Sequence, residues 1–233
     1  MEGENKLPGF FDSLHTEEEK VNKKTIECIL NDKDLKNHLD ILYVSANIIL
    51  EFIRNYQSSC EEELIIQFLG VRLFNSVEVS LKMLLSGYYQ HSASVTRDIL
   101  EVGYLLDYFS LFPKEIMVWK TCGEKEHKRR YNQASIREAL DKRDGLTSMK
   151  RAEKYRLLCM SGTHATYQGL KLLAPNNMVT PGPFFCPELI KPSLEELVNN
   201  ATYVTVIFMN IFKNQNIINM VKVISFFEPY SMA

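Results

Sequence analysis

Between residues 91 and 111 the chain is apolar around most of a helical surface, and this stretch constrains the fold more than any other. Val95, Ile99, Val102, Leu106 and Phe109 step by 4, 3, 4 and 3 residues and make one seam, with Leu100 and Leu105 on its flanks. About 200° around the same helix run Arg97, Glu101, Tyr104 and Tyr108. A helix this apolar belongs at the centre of a bundle, so Arg97 and Glu101 are expected at least partly out of water. Charge taken out of water needs a partner, and the i, i+4 spacing of these two residues supplies one. Two readings follow: an internal strut that ties neighbouring helices together, or side chains that line a pocket.

The rest of the chain repeats the helical period. Apolar spacing and start signals predict helices at about 16 to 31, 34 to 57, 61 to 86, 91 to 111, 113 to 121, 133 to 143, 148 to 161, 193 to 213 and 216 to 227. Thr16 with Glu19 and Ser193 with Glu196 fit the capping box, and Pro113 suits a first helical turn. Ile41 to Val44 has strand composition, but Leu42, Ala46, Ile49, Ile53 and Tyr56 continue one helical stripe. The expected fold is therefore all-α, a multi-helix bundle of about seven to nine helices in a single domain covering residues 1 to 233. Residues 1 to 15 are expected to be flexible. Residues 174 to 192 carry Pro175, Pro181, Pro183, Pro187 and Pro192 and are expected to be an irregular connection, pinned to the surface by Phe184 and Phe185. With 45% apolar residues in 233, the chain has the composition of an ordinary globular protein.

Several chemistries have no signature here. There is no Gly-rich phosphate loop, Gly-x-Ser-x-Gly elbow, His-Glu-x-x-His or EF-hand loop, and no cofactor or metal is expected. The five cysteines form no Cys-x-x-Cys pair and are expected as free thiols in a reducing compartment. Among the five histidines only His164, in the run Gly162-Thr163-His164-Ala165-Thr166-Tyr167, stands out, while Glu124 to His127 is expected to be a solvated loop. The most apolar run is read as Ala201 to Phe212, short of the roughly 20 residues of a spanning helix, so no membrane span and a cytoplasmic location are expected.

Charge is unevenly spread. Residues 1 to 63 hold 14 Asp and Glu against 7 Lys and Arg, whereas residues 120 to 156 hold 12 Lys and Arg against 6 acids. In the basic stretch Lys128, Arg129, Arg130 and Arg137 lie among Trp119, Tyr131 and Tyr155, a mixture suited to single-stranded RNA. The same surface could instead be solvated, or meet the acidic half of a second copy.

The run Leu84-Leu85-Ser86-Gly87-Tyr88-Tyr89, followed by Arg97 to Glu101 with Tyr104-Leu105-Leu106, resembles a bacterial and phage-associated helical family of unknown function. Its members pair a Leu-Leu-x-Gly turn with Arg-x-x-x-Glu on the next helix. Tyr155 to Cys159, running on to Gly162-Thr163-His164, resembles that family's second patch, an aromatic-led helix ending in His. The likeness covers about residues 61 to 170 and implies a helical bundle in a bacterial cytoplasm. The chain is also loosely similar to HEPN-type proteins of toxin and phage-defence systems, some of which cut RNA with an Arg and a His at a shorter interval. Here seven residues separate Arg156 from His164.

Three functional expectations result. The first is a protein-interaction or effector module in a bacterial stress or phage-defence setting, acting through a protein partner or as a homo-oligomer. The second is a metal-independent ribonuclease with His164 as general acid or base, and Arg97, Glu101 and Arg156 beside it. The third is a small-molecule sensor whose pocket is lined by Arg97, Glu101, Tyr104, Tyr108 and Tyr155.

Overall fold

A computed structural model describes residues 8–146, 149–175 and 178–212, and all regular structure among them is helical. The elements are α1 (Gly9–Asn31), α2 (Lys33–Asn55), α3 (Glu61–Leu85), α4 (Tyr89–Leu111), α5 (Glu115–Thr121), α6 (Glu124–Arg130), α7 (Gln133–Arg143), α8 (Lys150–Leu158), α9 (Tyr167–Leu170) and α10 (Pro187–Ile211). A π turn at Cys159–Thr163 and a 3₁₀ turn at Lys171–Leu173 flank α9. The chain is an all-α bundle. The expected helix at 216 to 227 lies outside the described residues.

The core is built around α4, whose Ile99, Leu100, Leu106 and Phe109 are fully buried. Helix α10 lies against α2, α3 and α4 at once. Its Val204 sits where a Cβ on Gly103 of α4 would fall, and its Phe208 ring lies edge-on to Phe52 of α2. Removing a ring such as Phe208, which is fully buried, costs about 3 to 5 kcal/mol at comparable positions.

The α3–α4 hairpin owes its turn to glycine. The Tyr88 N–H donates to Met83 O (2.8 Å) and the Gly87 N–H to Leu84 O (3.0 Å), which is the Schellman pattern. Gly87 has φ +80, a conformation that carries little penalty only without a Cβ. Any Cβ there would also lie 2.3 Å from the carbonyl oxygen of Phe184. The Leu-Leu-x-Gly motif is thus a helix stop onto which a distant segment is laid. That segment is the proline-rich connection. Phe184 packs on Tyr89, and the Tyr89 hydroxyl accepts from the Cys186 N–H (3.2 Å).

Four boundaries differ from the sequence expectation. Helix α1 begins at Gly9, not Thr16, and Thr16 donates its hydroxyl proton to Asp12 O (2.9 Å) from inside the helix. The connection ends at Cys186, not Pro192: Pro187 occupies the first turn of α10 and Pro192 is carried within it, since buried Ile190 and Leu194 anchor this end. Glu124 to Arg130 is helical, supported by Glu124–Lys128 (2.6 Å) and Glu126–Arg130 (3.1 Å) pairs at i, i+4. Gly162 does not end the helix that holds Tyr155. The chain widens into the π turn, closed by the His164 N–H on Cys159 O (2.8 Å), and Gly162 is pressed against the α4 backbone, where a Cβ would fall 2.4 Å from the Ser94 nitrogen.

Helix α3 is unlike its neighbours. Leu64 (40%), Phe68 (63%), Val71 and Val79 (41%) remain exposed on one side while Ile66, Leu73 and Leu84 are fully buried on the other. Its apolar content places an 18-residue window of mean hydropathy 1.4 here and not in α10, so α3 alone among the described helices is long and apolar enough by composition to cross a membrane.

Candidate functional site

The polar side of α4 faces α7, α8 and α10, and the expected pairing of Arg97 with Glu101 is present. Arg97 Nη1 lies 3.2 Å from Glu101 Oε1, with the two side chains 22% and 21% exposed. Between them Tyr155, on α8, donates its hydroxyl proton to Glu101 Oε1 (2.5 Å) and accepts from Arg97 Nη1 (3.2 Å). Arg137 of α7 covers the Tyr155 ring, its guanidinium carbon 4.2 Å from the centroid. The Arg97 Nε, Arg137 Nε and Arg137 Nη1 atoms are buried without a hydrogen-bond acceptor. Burial is the largest influence on Arg97 and lowers its pKa, but Glu101, Cys159 and Tyr155 together outweigh it and the guanidinium is held above its ordinary value. Burial, then the hydrogen bond to Glu101, pushes the Tyr155 phenol up.

Nearly two turns along α4 the polar seam becomes a charge ladder. Asp107, its side chain only 9% exposed, accepts two hydrogen bonds from Arg143 of α7, that from Nη2 at 2.9 Å. Arg143 also holds Asp144 (2.7 Å), and Arg151 of α8 bridges Asp141 (2.5 Å) and Asp144. Tyr203 of α10 donates to Asp107 Oδ2 at 3.5 Å. Hydrogen bonds from Arg143 and Arg151 pull the Asp144 carboxyl down to about 2, while burial, then the charge of Asp107, pushes the Tyr203 phenol up to about 12.

The remaining expected residues separate. Tyr104 is buried against Tyr203, and Tyr108 packs on Phe109, Phe112 and Tyr131. Arg156 is exposed, with its Nη1 2.9 Å from Met160 Sδ. His164 is exposed, and no ion pair or hydrogen bond among the described residues joins its ring to Arg97, Glu101 or Arg156. In the basic stretch Lys128 pairs with Glu124, Arg129 with Glu126 (3.9 Å), and Arg130 with Glu115 (2.5 Å) and Glu126, which neutralises much of its charge locally. No group of three His, Cys, Asp or Glu side chains able to hold a metal ion occurs among the described residues.

The feature that motif reading missed adjoins the Arg97–Glu101–Tyr155 cluster, with Arg97 at its edge. An open groove of about 730 Å³ runs between α3 and α4, walled by Phe68, Val71 and Val79 on one side and Val95 on the other. Arg72 bridges its floor, donating to both oxygens of Asp98 (2.5 and 3.2 Å), while Ser76 donates to Asp98 at 3.0 Å. The sequence signal was a surplus: α3 carries apolar residues at Leu64, Phe68 and Val71 in addition to a complete core face. No family model, curated protein or solved structure matches the chain.

Proposed function

We propose that this protein is a non-catalytic interaction module that receives a protein partner along the α3–α4 groove. The observation that carries this reading is the run of exposed Leu64, Phe68, Val71 and Val79 down one helix, beside a groove already walled by apolar side chains. A contiguous apolar surface of this kind marks a contact face in a water-soluble domain. The Arg97–Glu101–Tyr155 cluster fits the complementary role of a strut, since its members bond to one another and fasten α8 to α4. The resemblance of the Leu84–Tyr89 and Arg97–Glu101 runs points to a bacterial stress or phage-defence setting and a cytoplasmic site of action.

The test is a photo-cross-linking residue placed at position 68 in the full chain, in the cell that makes it. A covalent adduct with a polypeptide, suppressed by Val71→Glu, is the expected result. Absence of any polypeptide adduct at position 68 removes the reading.

A further inference from the structure

We infer that the partner on this face is a second copy of the same chain, its α3 lying antiparallel to the first. This rests on the interaction reading above and names the occupant of that groove. Glu61, Leu64, Phe68, Val71, Asn75, Glu78 and Lys82 recur at steps of 3, 4, 3, 4, 3 and 4 along α3, the spacing of a helix-to-helix seam. Leu64, Phe68 and Val71 fill its first half, Asn75 and Glu78 follow with Val79 on their flank, and the opposite charges Glu61 and Lys82 occupy its two ends.

A surface of this pattern is complementary to itself. A two-fold axis passing between Val71 and Arg72 sets Leu64 opposite Val79 of the second copy and Phe68 opposite Asn75 of the second copy, each pair being equidistant from the axis. The same axis sets Glu61 opposite Lys82 of the second copy, and does so twice. Glu61 already pairs with Lys120 but keeps a side chain 50% exposed, and Lys82 is exposed. A parallel arrangement places Glu61 on Glu61 and Lys82 on Lys82, so charge selects the antiparallel one. The antiparallel order also brings the positive end of one helix dipole to the negative end of the other. From Leu64 to Val79 the contact runs about 22 Å along the helix.

Sedimentation of the full chain over a concentration series tests this. The wild type is expected to form dimers, and Phe68→Glu to be monomeric with an unchanged helical spectrum. Glu61→Lys and Lys82→Glu are each expected to weaken dimerisation at least tenfold, because each creates two like-charge pairs. Mixing these two variants is expected to restore dimers, now mixed, because every end then carries opposite charges; a change that merely loosened the fold would not be rescued by mixing. A wild-type monomer at every concentration, or dimers indifferent to Phe68→Glu, overturns the inference. Cross-links from position 68 to a different polypeptide would overturn it while leaving the interaction reading intact. Monomers that bind lipid vesicles through Phe68 would overturn both.

Discussion

Adjacent helices α3 and α4 have exchanged the surfaces that their compositions would lead one to expect. Helix α4 carries Arg97, Glu101 and Asp107, yet its charged side is largely packed beneath α7, α8 and α10. Helix α3 carries the more apolar sequence, yet leaves Leu64, Phe68 and Val79 facing water. The difference is one of partners. Each charge on α4 has been given an opposite charge or a phenol from another helix, which is what permits its burial. The apolar residues on the outer side of α3 have been given nothing within the described chain, which is what makes that side informative.

If this contrast is correct, substitutions on the two helices differ in size and in what they alter. Asp107→Ala has the largest expected effect, a loss of about 2 to 3 kcal/mol in urea unfolding, because it strips two hydrogen bonds from a partly buried Arg143 that then keeps only Asp144. A loss below 1 kcal/mol would mean that the ladder is solvated and the contrast false. Tyr155→Phe removes the hydroxyl between Arg97 and Glu101 and should cost about 1 kcal/mol. Thermal melting of this variant with no shift would detach α8 from the strut role.

A pH series sharpens the same point. The Asp144 carboxyl, drawn down to about 2 in the fold, contributes stability that is fully present above its ordinary range and is lost as pH falls toward 2. Urea midpoints should therefore drop between about pH 4 and pH 2, and Asp144→Asn should flatten that part of the profile. The smallest effect is expected on α3: Phe68→Ser should leave monomer stability within about 0.5 kcal/mol of wild type, because the ring is already exposed. A larger loss would show that the stripe is part of the core.

The sequence disclosed the central helices because they obey one rule each. Apolar periodicity located α2, α3 and α4 within two residues of their ends, and it identified Arg97 and Glu101 as a pair needing shelter. It did not find α6, whose Glu-Lys-Glu-His-Lys-Arg-Arg run has no apolar face and depends on side-chain pairs instead. It stopped α10 short at Pro192, because the penalty of an internal proline is local whereas the burial of Ile190 is tertiary. The stacking of Arg137 on Tyr155 joins residues 18 positions apart on different helices, and no spacing rule encodes it. The groove escaped for a related reason: periodicity reveals that a face is apolar, but only the assembled fold shows that nothing covers it.

The position of α10 has a consequence for how the chain is made. It lies among α2, α3 and α4, with its Thr205 hydroxyl 3.4 Å from Ser45 O and its Phe208 ring where a Cβ of Gly70 would point. Helices α2, α3 and α4, against which it is mainly packed, leave the ribosome at least 76 residues earlier, counting from Leu111 to Pro187. Until α10 emerges, Ala46, Ile49, Phe52 and Leu73 have only part of their final packing, and the nascent bundle is an open trough. Completion of the core is thereby deferred until α10 has been made, and a chain truncated before residue 187 should be held by chaperones and not accumulate as a folded product.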